Sequence, residues 1–181
     1  ILLNQNLDSK ERYYQGKIPN NCQLLLGCDY ALLRPEFVEL RSLALDKRKR
    51  TQKIKNILIS MGGSDIKNLT YSILQKLDNR FKITVILGEN SPHNKIIRDY
   101  VKGKDIEDII NANNMAELML NSDLSIGAGG STSWERCCLG LPTLLYIVAI
   151  NQNKVSANLA RLGVVKIVEN LKVDLQKILD D

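Results

Sequence analysis

The sequence predicts an α/β fold, a doubly wound parallel sheet spanning residues 56–181. Three observations predict it. Short apolar runs alternate with segments of helical spacing. The runs are continuously apolar, as in strands buried on both faces. Glycine-rich turns close two of them, at Gly62-Gly63 and Gly127-Ala128-Gly129-Gly130.

Residues 1–34 have mixed character. Ile1-Leu2-Leu3 and Leu24-Leu25-Leu26 read as short strands, the second closed by a turn at Gly27. Arg34-Pro35-Glu36 is a break, because the residue before a proline resists the helical region. A helix starting at Glu36 places Phe37, Leu40, Leu43 and Ala44 on one face. The run Lys47-Arg48-Lys49-Arg50 closes it. Residues 35–55 are expected to form an interdomain linker helix and basic segment. Residues 1–34 are expected to be the tail of a preceding Rossmann-like domain. The chain begins at Ile1, inside an apparent strand, and is expected to be a fragment or a processed product.

From Asn56 the pattern is regular. Strands are expected over 57–61, 83–87, 106–110, 124–126, 143–147 and 164–168. Helices are expected over 66–77, 94–102, 115–120, 132–139, 153–162 and 172–179. Asn113 or Asn114 is available to cap the helix at Met115. Gly140 and Pro142 end the helix that opens at Thr132. This order makes a Rossmann-like domain, with ligands outside the carboxyl ends of its strands.

Composition excludes several classes. Hydrophobic residues at 44% and charged residues at 25% fit a globular domain rather than a disordered chain. No apolar run approaches the ~18 residues of a membrane span. Net charge is +5, and part of the excess is the 47–50 run. That run reads as a solvated linker or helix end. The alternative is a nucleic-acid patch, but aromatics are only 5% and none interleave the run. A mild basic bias also suits an anionic small molecule. The four cysteines, Cys22, Cys28, Cys137 and Cys138, show no C-x-x-C spacing. Reduced thiols in the cytoplasm are expected, with no bound metal or cofactor.

Several loops carry candidate chemistry. Glycines after the fourth strand of this domain let backbone N–H groups approach a ligand, and Ser131, Thr132 and Ser133 add hydroxyls. That suits a diphosphate; a plain strand–helix turn is the alternative. The segment is neither a P-loop nor G-x-G-x-x-G. Glu135 either accepts the hydroxyls of a ribose or closes a capping box with Thr132. Gly62-Gly63-Ser64-Asp65 is a second such turn, with Ser64 or Asp65 as an alternative helix cap. Asn151-Gln152-Asn153 offers amides for sugar hydroxyls and acetamido groups, or a cap for the next helix. His93, the only histidine, lies in the turn sequence Ser91-Pro92-His93-Asn94 and reads as an exposed loop residue.

Together these pieces carry a resemblance. Asn113-Asn114-Met115-Ala116, Ser122-Asp123-Leu124, Gly127 to Thr132, Glu135, Gly140-Leu141-Pro142 and Asn151-Gln152 resemble the C-terminal domain of GT-B glycosyltransferases, such as the N-acetylglucosaminyltransferase of peptidoglycan synthesis. Leu3-Asn4-Gln5-Asn6, Leu25-Leu26-Gly27, Tyr30-Ala31-Leu32-Leu33-Arg34-Pro35-Glu36-Phe37 and Ser60-Met61-Gly62-Gly63-Ser64-Asp65 are similar to the UDP-sugar hydrolases of pseudaminic acid synthesis. The resemblance implies the C-terminal half of a GT-B fold and a UDP-sugar substrate. It implies that Glu135 takes the uridine ribose. Gly130, Ser131 and Thr132 take the diphosphate, helped by Gly63 and Ser64. Asn114 and Met115 lie near the uracil, and Asn151 and Gln152 face the sugar. In that family a histidine of the N-terminal domain activates water. Its Gly- and His-bearing motif is absent here, and His93 does not match it. Cys28 departs mildly from the pattern, standing where a proline is expected. A chain without that domain is expected to bind UDP weakly and not to turn over. A GT-B glycosyltransferase and a noncatalytic nucleotide-binding fragment are the alternatives.

Overall fold

The structure is a computed structural model that describes residues 1–168 together with Leu175 and Leu179. Strands β1 (Leu2–Asn4) and β2 (Leu24–Leu26) pair in parallel as a separate two-stranded sheet. Helix α1 (Pro35–Arg50) follows, with its proline in the first turn. That position suits proline, whose missing N–H has no intrahelical partner there.

The main body then alternates as expected. It comprises β3 (Asn56–Ser60), α2 (Leu69–Leu74), β4 (Lys82–Leu87), α3 (Asn94–Val101), β5 (Ile106–Ile110) and α4 (Met115–Asn121). It continues with β6 (Leu124–Ala128), α5 (Thr132–Cys138), β7 (Thr143–Tyr146), α6 (Asn153–Arg161) and β8 (Lys166–Ile167). These six strands form one parallel sheet in the order β5-β4-β3-β6-β7-β8. The chain winds outward from β3 to β5, then returns to β6 and winds the other way. The topological switch therefore lies between β3 and β6. Of the expected final helix, 172–179, only Leu175 and Leu179 are described; both are helical and Leu175 is fully buried.

The central strands β3, β6 and β7 are buried on both faces. Ile57, Ile59, Val85 and Ile126 point into one apolar layer with Ile73 and Ile97. Leu58 points into the other, with Phe37, Ala44, Met119 and Leu139. Helix α1 is part of this second layer: Phe37 and Ala44 are fully buried. Burying a phenylalanine contributes about 1.5–3 kcal/mol.

The basic run at the end of α1 divides in two. Lys49 and Arg50 are exposed, as a solvated helix end should be. Lys47 and Arg48 instead turn inward. The Lys47 ammonium donates to the carbonyls of Leu120 (3.0 Å), Asn121 (2.8 Å) and Ser122 (3.3 Å). Arg48 donates to Met119 O at 2.7 Å and to Ser122 O. These carbonyls end α4 and lack intrahelical partners, so cations suit them.

Helix α2 stops earlier than expected, at Leu74, and β8 is confined to Lys166–Ile167; two further shifts bear on the site. Helix α2 begins at Leu69, not Ile66, because Asp65 (φ 37°) and Asn68 (φ 51°) adopt left-handed backbone. Strand β6 runs through Gly127 and Ala128, which pair with β7 at Leu145 and Tyr146. The open glycine loop is therefore shorter than the sequence suggests. Helix α5 ends as expected: Leu141 N donates to Arg136 O (2.9 Å) and Gly140 N to Cys137 O (3.1 Å). Gly140, at φ 57°, supplies the left-handed residue that this closure needs.

Candidate functional site

In a doubly wound sheet the ligand crevice opens at the switch, outside the carboxyl ends of the strands. Here that position is flanked by the turns after β3 and β6. Gly62, Gly63 and Ser64 follow β3 and are all exposed. Gly130 and Ser131 follow β6 and are exposed, with Thr132 half-buried. Gly130 has φ 129°, a conformation open to glycine but strained for other residues. The hydroxyls of Ser64, Ser131 and Thr132 hold no hydrogen bond within the described residues. Exposed backbone and unspent hydroxyls thus meet on both sides of the switch.

Neighbouring loops hold these turns in place. Gly88 packs directly on Gly63: a Cβ at Gly88 would lie 1.9 Å from the Gly63 carbonyl oxygen. Asp65 accepts hydrogen bonds from the N–H groups of Leu69 and Thr70, each at 2.9 Å. It therefore caps α2 and leaves Ser64 free. His93 Nε2 lies 3.0 Å from Ile66 O, which ties the β4 loop to the β3 loop. Gln152 clips the other side. Its amide donates to Gly129 O (2.9 Å) and accepts from Val148 N (3.1 Å).

Glu135 lies one turn into α5 and is half-buried. It closes no capping box: the start of α5 has no side-chain cap hydrogen bond. Its carboxylate instead faces Arg34 at 3.7 Å. Arg34 is shared with Glu36 at 3.1 Å and stacks over the Phe37 ring at 5.2 Å. Burial raises the pKa of Glu135, Arg34 and Arg136 oppose that, and the balance stays above the ordinary value. A carboxylate held partly desolvated, and not used in a cap, suits an acceptor for ligand hydroxyls.

The remaining expected residues lie further out. Asn114 precedes α4, is exposed, and donates to Glu117 at 3.3 Å. Met115 is half-buried against the second apolar layer. Asn151 is exposed in a short 3-10 turn, Ile150–Gln152, and forms no cap for α6. It lines a small groove with Asn4, Asn6, Asp8 and Asn158. Asp8 joins this groove to α6, accepting from Asn158 at 2.5 Å and facing Lys154 at 3.6 Å. Gly63, Ser64, Gly130, Ser131, Thr132 and Glu135 thus gather at the switch. Asn114 and Met115 follow β5, two strands from β3.

The sequence reading missed three supporting residues. Arg34 was only part of a break. Gly88 opens one of the loops expected at the carboxyl ends of the strands, but its packing on Gly63 carries no sequence signal. Arg136 stands 2% exposed beneath the β6 turn. Its clue was Gly127, whose absent side chain makes room for the guanidinium: a Cβ there would lie 2.2 Å from Arg136 Nη1. A larger groove of about 660 Å³ lies elsewhere, along α3 and β5. It carries surface ion pairs, Lys95–Asp99 (2.7 Å) and Arg98–Asp108 (3.1 Å), and none of the expected site residues. Among the described residues no group of three or more His, Cys, Asp or Glu could hold a metal. No helix there is long and apolar enough to cross a membrane.

The sheet order, with its switch between β3 and β6, defines a Rossmann-like domain of the kind that forms the C-terminal half of a GT-B protein. Residues 36–179 match the glycosyltransferase family 28 C-terminal domain, and the chain belongs to that family. It is 30% identical over 164 residues to the UDP-2,4-diacetamido-2,4,6-trideoxy-beta-L-altropyranose hydrolase of Campylobacter jejuni, covering 90% of this chain and 58% of that protein. Across the curated relatives it matches, the chain spans 28% to 58% of their length. Two solved structures share the fold. MurG of Acinetobacter baumannii has TM-score 0.54 and 19% identity, over 76% of this chain and 44% of that one. The UDP-GlcNAc 2-epimerase of Methanocaldococcus jannaschii, solved with UDP-GlcNAc and UDP, has TM-score 0.54 and 14% identity, over 81% of this chain and 47% of that one.

Proposed function

We propose that this chain is the UDP-binding part of a UDP-sugar hydrolase, one that releases UDP and a free diacetamido-trideoxy sugar in pseudaminic acid synthesis. The observation that carries the reading is the gathering of unspent groups at the β3/β6 switch. Exposed glycine backbone and free hydroxyls at Gly63, Ser64, Gly130, Ser131 and Thr132 suit a diphosphate. Glu135, not used in a cap, suits the ribose hydroxyls. The similarity to the Campylobacter hydrolase supports the choice of substrate.

In this reading the residues at the switch hold the leaving group. Donors fixed before the reaction stabilise the negative charge that grows on the diphosphate as the anomeric C–O bond breaks. Asn151 faces the sugar, while Gln152 holds the β6 and β7 turns together. Asn114 and Met115 border the uracil. The base that activates water belongs to an N-terminal half preceding residues 1–34, and His93 takes no part. In this reading the protein acts in the cytoplasm.

The family match favours a second reading, a glycosyltransferase with a UDP-sugar donor. Incubating the whole protein with the altropyranose donor alone separates the two. Release of UDP without an acceptor supports the hydrolase. Strict dependence on an acceptor sugar supports the transferase.

A further inference from the structure

Arg136 is a buried cation without a buried anion. Its side chain is 2% exposed. One nitrogen, Nη2, donates to the Ala128 carbonyl and lies 3.3 Å from Ser133 Oγ. The other two, Nε and Nη1, are fully buried and have no hydrogen-bond partner among the described residues. Nη1 occupies the space beside Gly127, where a Cβ would also lie 2.8 Å from Ser60 O. Ser60 and Gly127 are register partners of β3 and β6. The guanidinium therefore lies at the switch, on the side of α5.

Its charge is retained. Burial lowers its pKa to about 10, opposed by Cys137 and Glu135, so it is a cation at neutral pH. No carboxylate lies within ion-pair distance among the described residues; the adjacent Glu135 faces Arg34 instead. Buried charges are ordinarily paired or fully hydrogen-bonded. A guanidinium with two idle nitrogens under an open glycine turn is incomplete on its own.

We infer that Arg136 is a positioning residue for an anionic ligand, and that a nucleoside diphosphate in the crevice supplies the counter-charge its guanidinium lacks. The inference rests on the nucleotide reading above. Arg136 does not reach the surface. It acts by drawing the Ala128 carbonyl inward, which fixes the turn at Gly129 and Gly130, and by placing a positive charge beneath that turn.

The test compares ligands with and without phosphate on the full chain. Calorimetric titration of Arg136→Met should show UDP affinity at least tenfold weaker and uridine affinity within twofold of the unmodified chain. Arg136→Lys should keep more of the UDP affinity. Equal losses for UDP and uridine, or no loss for UDP, would overturn the inference. A measurement on the unmodified chain decides the matter if Arg136→Met fails to fold. The ¹⁵N-edited guanidinium resonance of Arg136 should move on adding UDP or inorganic pyrophosphate and stay in place with uridine. Saturation with UDP while that resonance stays fixed overturns this inference alone. Absence of any UDP binding at millimolar concentration sinks the nucleotide reading along with it.

Discussion

Arg34, the residue before α1, and Glu135, one turn into α5, face each other at 3.7 Å. The contact joins the two ends of a half-buried charge arrangement. Arg34 is also held by Glu36 at 3.1 Å, so it neutralises Glu135 only in part. Burial wins and the carboxyl sits above its ordinary value of 4.5. With the folded value raised, ionising Glu135 costs stability as pH climbs from the unfolded value through the folded one. At neutral pH the charge is a burden that the fold carries.

Glu135→Gln should therefore leave the melting temperature at pH 7 unchanged or raise it. In the nucleotide reading it should weaken UDP binding about tenfold, equivalent to about 1.4 kcal/mol. Thermal denaturation and calorimetry on the same sample check both. A lower melting temperature with unchanged affinity would restore the capping-box reading. Arg34→Met should push the Glu135 pKa higher still, readable from its carboxyl ¹³C shift against pH.

Gly88→Ala tests the support beneath the β3 turn. The added methyl would lie 1.9 Å from the Gly63 carbonyl oxygen, and both are backbone-bound. One loop must move. The expected cost is about 1–3 kcal/mol, the range for overpacking. Denaturant unfolding measures it, and amide shifts at Gly62, Gly63 and Ser64 show where the strain goes.

Asp123 gives the chain an acid-sensitive anchor. Its carboxylate is 6% exposed and faces Lys47 at 3.2 Å. It accepts from Lys55 N (3.0 Å), Asn56 N (2.9 Å) and Asn56 Nδ2 (3.0 Å). Burial pushes its pKa upward, but the backbone N–H groups of Asn56 and Lys55, with Lys47, hold it below the ordinary value. A depressed folded pKa means stability that is complete above the unfolded value, ~3.9, and lost as pH falls through the folded one. Asp123→Ala should cost about 1–3 kcal/mol at pH 7, the range for leaving buried N–H donors unpaired, and flatten the loss of stability in acid. Denaturant midpoints from pH 2 to 7 check this.

Gln152→Leu separates a clip from a ligand contact. Losing the bonds to Gly129 O and Val148 N should cost about 1 kcal/mol each. Hydrogen exchange at Val148 N–H should speed up. If Gln152 works only as a clip, UDP affinity falls through the loosened β6 turn, and Asn151→Ala leaves UDP affinity intact.

Much of the fold was legible. Every strand from β3 to β8 overlaps an anticipated strand: β3, β6 and β7, buried on both faces, leave a continuous apolar signal, while the edge strand β5 carries Glu107 and Asp108. Glycine placement located both turns at the switch. Three features escaped for physical reasons. The left-handed residues Asp65 and Asn68, which delay α2, carry no periodic signature. The extension of β6 through Gly127 depends on pairing with Leu145, a long-range register. The burial of Arg136 depends on a space made nine residues earlier, at Gly127. Arg34 and Glu135 are 101 positions apart, and only the packing of α1 beside α5 brings them together.

The central claim is that the β3/β6 switch of this chain holds the nucleotide of a UDP-sugar. Titrating UDP into the ¹⁵N-labelled chain tests it most directly. If the switch holds the nucleotide, saturable shifts centre on Gly62–Ser64, Gly129–Thr132, Glu135 and Arg136 and reach Asn114 and Met115, with a binding constant weakened about tenfold in Glu135→Gln. No shift at millimolar UDP, or shifts confined to the α3–β5 groove, would contradict it.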